Sequence, residues 1–279
     1  MSIPQRTIER VVALALEEDL GAGDLTTAAC IDPQTRGRAE LRAREPLVFC
    51  GAAVVREVFR QIDADLSLDF DVSDGGKVAV GGRVATVAGL AASILQGERV
   101  ALNFAQRMSA VATRTAELVA ALPAGSRTRI VDTRKTTPGL RAFERHAVRC
   151  GGGHNHRENL GSAVLIKDNH IAACGGVAEA VRAARAYAPH TSRITCEVGS
   201  TSELDEALAA GADVVMLDNF EDAALPAAVA RIAGRALVEV SGRITLARVA
   251  EIARAGVDVI SVGALTHSAG SIDLGLDWT

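Results

Sequence analysis

The sequence predicts an α/β protein in which an incomplete parallel βα barrel of about six strands follows an N-terminal α+β sandwich domain. After residue 125, short apolar segments alternate with amphipathic helical segments, and polar residues follow the carboxyl end of each apolar segment. Between residues 36 and 95 the pattern is different, because short alternating runs are separated by glycine pairs. The first pattern indicates a parallel sheet covered by helices, and the second indicates small antiparallel β-structure.

The N-terminal part begins with a predicted helix and continues into the β-rich region. Residues 4–19 place apolar side chains at helical spacing, and Gly21 and Gly23 end that pattern. The alternating run Val78–Val87 contains a Gly-Gly pair, which predicts a hairpin. Residues 93–121 then predict one long helix, or two abutting ones, before Pro123.

No low-complexity linker separates the two regions, so we place the boundary near residue 105. The expected domains are therefore an N-terminal sandwich over residues 1–104 and a catalytic barrel over residues 105–268. The C-terminal tail, residues 269–279, is expected to pack on the N-terminal domain.

The barrel region contains six predicted strands with helices between most of them. The strands are 130–131, 163–166, 194–198, 214–217, 237–240 and 257–262, and the helices are 138–149, 177–188, 202–210, 221–233 and 245–255. In a βα barrel the carboxyl ends of all strands converge on one face, where active sites are built. An open doubly wound sheet would spread those ends along an edge, so we favour the barrel.

Composition excludes several function classes. The 279 residues carry a net charge of −4 with 3% aromatic residues, which argues against a general nucleic-acid binder. No apolar run is long enough to span a bilayer and no export signal opens the chain, so no membrane role is expected. The five cysteines form no C-x-x-C pair, and we expect reduced packing thiols in a cytoplasmic protein.

A strongly cationic segment, residues 127–157, stands out from this acidic background. It carries eight Lys and Arg residues against two acids, together with three histidines and the triple glycine 151–153. The whole chain has only three lysines, and Lys135 and Lys167 both follow predicted strands. Cations gathered at one barrel face would repel one another without a bound anion, so the pattern predicts a pocket for a polyanionic small molecule. The cationic candidates are Arg134, Lys135, His156, Arg157 and Lys167.

Two acids end neighbouring predicted strands and are candidate Mg²⁺ ligands. Glu197 and Asp218 offer the hard oxygen atoms that Mg²⁺ uses together with substrate phosphates. The alternative is that they form ordinary salt bridges with the basic residues. His154 and His156 are not expected to form a zinc pair, because no further Cys or His follows at ligand spacing. His267 follows the last strand, where either a phosphate site or a plain turn would fit.

Several motifs, in order along nearly the whole chain, resemble those of the quinolinate phosphoribosyltransferase family. They are EDLGAGDLTT (18–27), GERVALNFAQRMSAVAT (97–113), TRKTTPGLR (133–141), RCGGGHNHR (149–157), LIKDNH (165–170), LDNF (217–220), SG (241–242) and VGALTHS (262–268). The combination is specific, although a single piece such as SG would be weak.

The resemblance implies a reaction and a set of residue roles. Quinolinate and phosphoribosyl pyrophosphate would give nicotinate mononucleotide, pyrophosphate and CO₂ with Mg²⁺, in NAD biosynthesis. Arg134, His156, Arg157 and Lys167 would surround the two carboxylates of quinolinate, with Arg99 supplied by the partner subunit of a homodimer or higher oligomer. Lys135 and His267 would hold phosphates, while Ser241, Gly242 and Gly263 would cradle the 5′-phosphate. Glu197 and Asp218 would face the metal and ribose, and the catalytic residues implied are Lys135, Lys167, Glu197 and Asp218.

Two positions depart from the family pattern. Arg243 stands where glycine usually follows Ser-Gly, and Thr195 stands where a second acid usually precedes Glu197. A molybdenum-locus paralogue is the nearest rival, but the intact TRKTTPGLR and GGGHNHR motifs favour the quinolinate enzyme. A carrier module with Lys77 as attachment point is a rival of another class. Lys77 lacks the tip position between two hydrophobic neighbours that a carrier lysine would have.

Overall fold

The structure is a computed structural model that describes residues 2–279. Its helices are α1 (Gln5–Leu20), α2 (Leu25–Cys30), α3 (Ala52–Ile62), α4 (Ala91–Ala120), α5 (Arg141–Cys150), α6 (Asp168–Cys174), α7 (Val177–Tyr187), α8 (Thr201–Ala209), α9 (Leu225–Ile232), α10 (Leu246–Arg254) and α11 (Ala264–His267). Its strands are β1 (Arg36–Ala43), β2 (Leu47–Val48), β3 (Ser67–Phe70), β4 (Lys77–Val78), β5 (Arg83–Leu90), β6 (Arg129–Val131), β7 (Val164–Ile166), β8 (Ile194–Val198), β9 (Val214–Asp218), β10 (Leu237–Ser241), β11 (Val259–Ser261) and β12 (Leu274–Trp278). Within the described chain, no helix combines the length and apolarity needed to cross a bilayer.

The chain divides into two compact units, and each is built from more than one stretch of sequence. The first unit comprises Met1–Ala116, Thr136–Gly152 and Leu265–Thr279. The second unit comprises Glu117–Lys135 and Gly153–Ala264.

The first unit contains a four-stranded antiparallel sheet in the order β12-β1-β5-β3 and a separate two-stranded sheet of β2 and β4. Helix α3, which the sequence reasoning did not predict, interrupts the β-rich region. It forms because Val54, Val55, Val58 and Phe59 lie on one face of a helical turn pattern and are all buried. The long helix α4 is continuous, as one of the two predicted alternatives required.

The predicted hairpin over Val78–Val87 has a different pairing in the structure. A tight turn at residues 79–82, with Gly81 at a φ of +75°, does connect β4 to β5. The two strands, however, pair with different partners, because β4 joins β2 whereas β5 lies between β1 and β3. Local alternation predicts a strand but does not select its neighbour in the sheet.

The second unit contains a six-stranded parallel sheet in the order β6-β11-β10-β9-β8-β7, which confirms the predicted α/β barrel architecture with about six strands. Two aspartates brace the amino-terminal side of the sheet. Asp213 accepts a hydrogen bond from the Ile194 amide at 2.7 Å, and Asp258 accepts one from the Val238 amide at 2.8 Å. These side chains satisfy backbone donors that begin neighbouring strands, and so help to fix the strand register.

One edge of the sheet is extended by a short segment after the triple glycine. Val131 at the end of β6 forms a parallel bridge with His154, whose amide donates to the Ile130 carbonyl at 2.8 Å. This pairing brings the segment 154–157 alongside the carboxyl end of β6. The segment 154–157 therefore lies beside the polar strand ends, although it belongs to none of the six strands of the sheet.

Candidate active site

The carboxyl ends of the parallel strands surround a pocket of about 530 Å³. Nine of the sequence-predicted site residues line it: Arg134, Lys135, His156, Arg157, Lys167, Glu197, Asp218, Ser241 and Gly242. The other lining residues are Thr133, Leu165, Met216, Asn219, Glu239, Arg243 and Ser261. The strand ends thus bring together residues as far apart in the chain as Thr133 and Ser261, as parallel strands in a barrel do.

Asp132 holds the histidine segment at the edge of the pocket. Its side chain is fully buried and accepts hydrogen bonds from the amide of His156 at 2.7 Å and from Asn155 Nδ2 at 2.6 Å. The Asp132 amide in turn donates to the His154 carbonyl at 3.2 Å. Asp132 therefore positions the segment that carries His156, although the sequence reasoning did not choose it as a site residue.

His156 presents its Nε2 atom to a buried carboxylate. The Nδ1 atom accepts the amide N–H of Arg157 at 2.7 Å, so in neutral imidazole the ring proton lies on Nε2. Nε2 is 3.4 Å from Oε1 of Glu239, whose side chain is 4% exposed. That oxygen has no hydrogen-bond partner within the described chain, which leaves it available to a bound ligand.

Glu239 is a pocket residue that the sequence reasoning did not assign to the site. The available signal was an acid flanked by valines in the strand LVEVS, residues 237–241. An acid in such a strand is uncommon because burial of an unpaired charge is costly. A buried acid among strand residues therefore marks the interior of the pocket.

Two of the three arginines that line the pocket, Arg134 and Arg157, lie close enough to repel each other. The pKa of Arg157 is lowered, first by burial of the guanidinium and then by repulsion from Arg134. Arg157 also donates to the Ala163 carbonyl at 3.1 Å, which fixes the direction of the side chain. The arginine remains charged at neutral pH, so a bound carboxylate or phosphate would relieve this repulsion.

Lys167 and Glu197 form an ion pair across β7 and β8, with Lys167 Nζ 2.8 Å from Glu197 Oε2. The residues after Lys167 do not continue as a loop, because Asp168 begins helix α6. His170 Nδ1 accepts the Lys167 amide at 3.0 Å and so holds the backbone that carries the lysine. Glu197 therefore forms the salt bridge with a basic residue that the sequence analysis gave as the alternative to metal binding.

Asp218 and Ser241 lie next to each other at the ends of the paired strands β9 and β10. Asp218 Oδ2 accepts a hydrogen bond from Asn219 Nδ2 at 2.7 Å. Gly242 has a φ of +95°, and a Cβ at this position would collide with the Asn219 side-chain amide. Only glycine therefore allows the two loops to approach as closely as they do.

Arg243, one of the two departures from the family pattern, also lines the pocket and has a φ of +49°. The loop that carries it is fixed from behind by Arg248, which donates to the Gly242 carbonyl at 3.1 Å and to the Arg243 carbonyl at 2.8 Å. Arg248 is itself anchored by Asp222, and its hydrogen bonds hold the pKa of that carboxyl below its usual range. Arg243, in place of the glycine usual in the family, therefore adds a cation to a loop whose backbone is held by hydrogen bonds.

Three predicted site residues lie outside the pocket lining. Gly263 belongs to the second unit and lies between β11 and α11, while Arg99 on α4 and His267 at the end of α11 belong to the first unit. The side chains of Arg99 and His267 are exposed. In residues 2–279 Arg99 forms no ion pair, and His267 Nδ1 lies 2.6 Å from Ser268 Oγ.

A buried network in the first unit fixes the TRKTTPGLR motif beyond Lys135. Glu144 is 1% exposed and accepts hydrogen bonds from the Thr137 amide and hydroxyl, at 3.0 and 2.7 Å. Arg107 forms an ion pair with Glu144 at 2.6 Å and donates to the Thr266 carbonyl. Arg107 and Glu144 are therefore positioning residues that the sequence reasoning did not identify.

Comparisons with known proteins agree with these features. The model of the quinolinate phosphoribosyl transferase N-terminal domain matches residues 24–109, and the model of the C-terminal domain of the same family matches residues 111–277. A probable nicotinate-nucleotide pyrophosphorylase (carboxylating) of Bacillus subtilis (strain 168) is 43% identical over 262 residues, which cover 94% of this chain and 90% of that protein.

Two further relatives extend the comparison. A quinolinate phosphoribosyltransferase (decarboxylating) of Nicotiana tabacum is 39% identical over 293 residues, covering 98% of this chain and 83% of that protein. Among solved structures, the nicotinate-nucleotide pyrophosphorylase of Francisella tularensis superposes with a TM-score of 0.95 at 40% identity. That alignment covers 100% of this chain and 98% of the solved chain.

Proposed function

The chain belongs to the quinolinate phosphoribosyltransferase family, and from this premise we propose how its pocket carries out the family reaction. It transfers the phosphoribosyl group of phosphoribosyl pyrophosphate to quinolinate with decarboxylation, giving nicotinate mononucleotide, pyrophosphate and CO₂ in de novo NAD biosynthesis. The single observation that carries the residue assignment is the pocket itself, which joins an excess of cations to three carboxylates at the strand ends.

Quinolinate binds through its two carboxylates to the cationic side of the pocket. Arg134 and Arg157 supply guanidinium groups whose planar geometry matches a carboxylate, and Lys167 supplies an ammonium group. The proton on His156 Nε2 gives a further donor next to them. Each charge-assisted hydrogen bond contributes about 1.5–3 kcal/mol, so two carboxylates bind much more tightly than one.

Phosphoribosyl pyrophosphate occupies the side of the pocket formed by β9 and β10. Lys135 holds its phosphates, and the backbone at Ser241, Gly242 and Gly263 receives the 5′-phosphate. A phosphate-binding role for His267 rests on the family resemblance alone. Arg243 adds positive charge beside this loop. Gly242 permits a close approach between this loop and Asn219, and backbone amides of such loops commonly bind phosphate oxygens.

Asp218 and Glu197 form a donor set that fits Mg²⁺, because both offer carboxylate oxygens to the same pocket. Bound there, Mg²⁺ would neutralise charge on the departing pyrophosphate. Positive charge that develops on the ribose as pyrophosphate leaves is stabilised by the carboxylates of Asp218 and Glu197. After transfer, the bond between ring C2 and the 2-carboxylate breaks and CO₂ leaves; the electron pair stays on C2 beside the cationic ring nitrogen until C2 takes up a proton from solvent. Lys167, held by Glu197 at 2.8 Å, orients that carboxylate.

We further propose a homodimer in which the active sites are shared, in a cytoplasmic enzyme. Arg99 is exposed on α4 and forms no ion pair within the described residues, so its charge is available to a ligand held by another chain. The reduced cysteines fit a reducing compartment.

Incubation of the protein with quinolinate, phosphoribosyl pyrophosphate and Mg²⁺ tests the assignment. We expect nicotinate mononucleotide and CO₂ in equal amounts, with the CO₂ label coming from the 2-carboxylate of quinolinate. Glu179→Gln, at an exposed acid paired with Arg182 and outside the pocket lining, is the matched control and should retain full activity. Absence of product with substrates and metal in excess would rule out the function.

Metal dependence gives a separate prediction. A chelator should abolish turnover while quinolinate binding, measured by calorimetry, persists, because quinolinate contacts cations rather than the metal. Asp218→Asn should raise the Mg²⁺ concentration for half-maximal rate by roughly tenfold or more, since one charged ligand is lost. Glu197→Gln should raise it less, because Lys167 already neutralises Glu197. An unchanged rate in chelator would contradict the metal role.

A further inference from the structure

A cluster of four metal-ligating side chains lies in the first unit, and none of them lines the substrate pocket. They are Cys50, Asp74, His146 and Cys150, and their ligand atoms all lie within 4.8 Å of one another. His146 Nε2 is 2.8 Å from Asp74 Oδ2 and 3.4 Å from Cys150 Sγ. We propose that these four side chains bind one zinc ion, at a site separate from the substrate pocket.

Three segments of the chain supply the ligands. His146 and Cys150 are four residues apart on α5, so their side chains project from the same face of the helix. Cys50 lies just before α3, and Asp74 lies in the turn that precedes β4. Backbone hydrogen bonds between Phe49 and residues 75 and 76, at 2.8 and 2.9 Å, tie these two segments together.

The ligand types and their spacing fit tetrahedral zinc. Two thiolates, one imidazole and one carboxylate form a complete set of four, and thiolates favour zinc over magnesium or calcium. With zinc bonds of about 2.0–2.3 Å, tetrahedral ligand atoms lie about 3.2–3.8 Å apart. The distances of 2.8 and 3.4 Å, and the upper bound of 4.8 Å, reach this range by movements of roughly 1 Å or less. Zinc binding requires both cysteines as thiolates, so any thiol proton still bound would be released on zinc uptake.

Contacts outside the cluster already orient two of the ligands. Asp74 Oδ1 accepts the amides of Gly51 and Ala52 at 2.9 and 3.0 Å, which leaves Oδ2 directed at His146. The Cys50 amide donates to Ser109 Oγ at 3.0 Å. Ligating side chains in metal sites are commonly held by such outer contacts, which lower the cost of arranging them.

Pairwise hydrogen bonds connect the four side chains, between Asp74 and His146, between His146 and Cys150 and between Cys150 and Cys50. One zinc ion would replace these pairwise contacts with a single centre that all four side chains share. Both cysteines are free thiols in the structure. A disulfide between them would involve only two of the four groups, whereas one zinc ion would bind Asp74 and His146 as well.

The ion would act as a structural brace. A site with four protein ligands has no open position for substrate, which is typical of structural zinc. Helix α5 ends at Cys150 and is followed by Gly151–Gly153 and then by the segment that carries His156 and Arg157. A brace at Cys150 would therefore fix the end of the helix from which the substrate-binding segment starts.

The test is metal analysis of the full-length, tag-free protein, purified under reducing conditions and equilibrated with buffered zinc. We expect about one zinc per chain, and a higher Tm with zinc than after treatment with a strong chelator. Replacement of zinc by cobalt should give the absorption bands of tetrahedral cobalt with thiolate charge transfer, a readout that needs no variant and no enzyme assay.

Variants identify the ligands. Cys50→Ser and His146→Gln should each weaken zinc affinity at least about a hundredfold, since a ligand matters more than the outer contacts whose loss costs ten- to a hundredfold. Asp74→Asn keeps the shape of the side chain and should weaken affinity as well. The matched control is Cys174→Ser, at an exposed cysteine outside the cluster, which should bind zinc as the unmodified protein does.

Three outcomes would overturn the proposal. They are a zinc content near zero at saturating zinc, equal binding by the unmodified protein and Cys50→Ser, and a Cys50–Cys150 disulfide in place of metal under reducing conditions. Because metal content and cobalt spectra do not depend on turnover, these outcomes are independent of the proposed enzymatic reaction.

Discussion

Nicotinate is expected to react at least about a hundredfold more slowly than quinolinate, measured as kcat/KM at saturating phosphoribosyl pyrophosphate. Nicotinate lacks the 2-carboxylate and would leave part of a cationic pocket unpaired. Losing two charge-assisted hydrogen bonds at about 1.5–3 kcal/mol each corresponds to roughly a hundredfold or more in discrimination. Comparable turnover of the two acids would overturn the assignment of the cationic side of the pocket.

The same pocket can be probed from the protein side. Arg157→Ala should lower kcat/KM for quinolinate about a hundredfold, and should narrow the difference between quinolinate and nicotinate. Arg182→Ala is the matched control, because Arg182 is exposed, pairs with Glu179 and lies outside the pocket lining. Circular dichroism would verify that each variant is folded. If Arg157→Ala lowered kcat/KM equally for quinolinate and nicotinate, Arg157 would not bind the 2-carboxylate.

Mixing two inactive variants should restore activity. Arg99→Ala and Lys167→Ala chains should each be nearly inactive alone, because each lesion removes a proposed contact to quinolinate. If Arg99 acts on the partner's site, a mixed dimer has one site with both lesions and one intact site. Random exchange should then give about a quarter of the activity of the unmodified protein, since half of the dimers are mixed and each has one working site.

The control for this experiment is a mixture of Arg134→Ala and Lys167→Ala. Both of these residues line the pocket of a single chain, so every site in a mixed dimer carries one lesion and no activity should return. Chains of different mass allow exchange to be verified directly. Lack of recovery in the Arg99 mixture, after exchange is complete, would mean that Arg99 acts within its own chain or only at the surface.

The sequence determined the parallel sheet of the second unit nearly residue by residue. Each of its six strands was predicted, because each is a short apolar segment bounded by polar residues, and the five predicted helices are also present. The polar ends of those strands converge because parallel strands share a direction. Nine of the predicted site residues consequently line one pocket.

The tertiary structure alone decided the features that depend on which segments meet. Strand β4 pairs with β2 rather than β5, since alternation encodes a strand but not its neighbour. Glu239 and Asp132 acquired their roles through burial beside the histidine segment, and the sequence does not encode which segment packs against them. Cys50, Asp74 and the pair on α5 are separated by tens of residues, so their cluster exists only once three segments pack together. The chemistry of each side chain and the spacing of apolar residues can be seen in a short stretch of sequence. Contacts between side chains that are distant in the sequence form only when the whole chain packs.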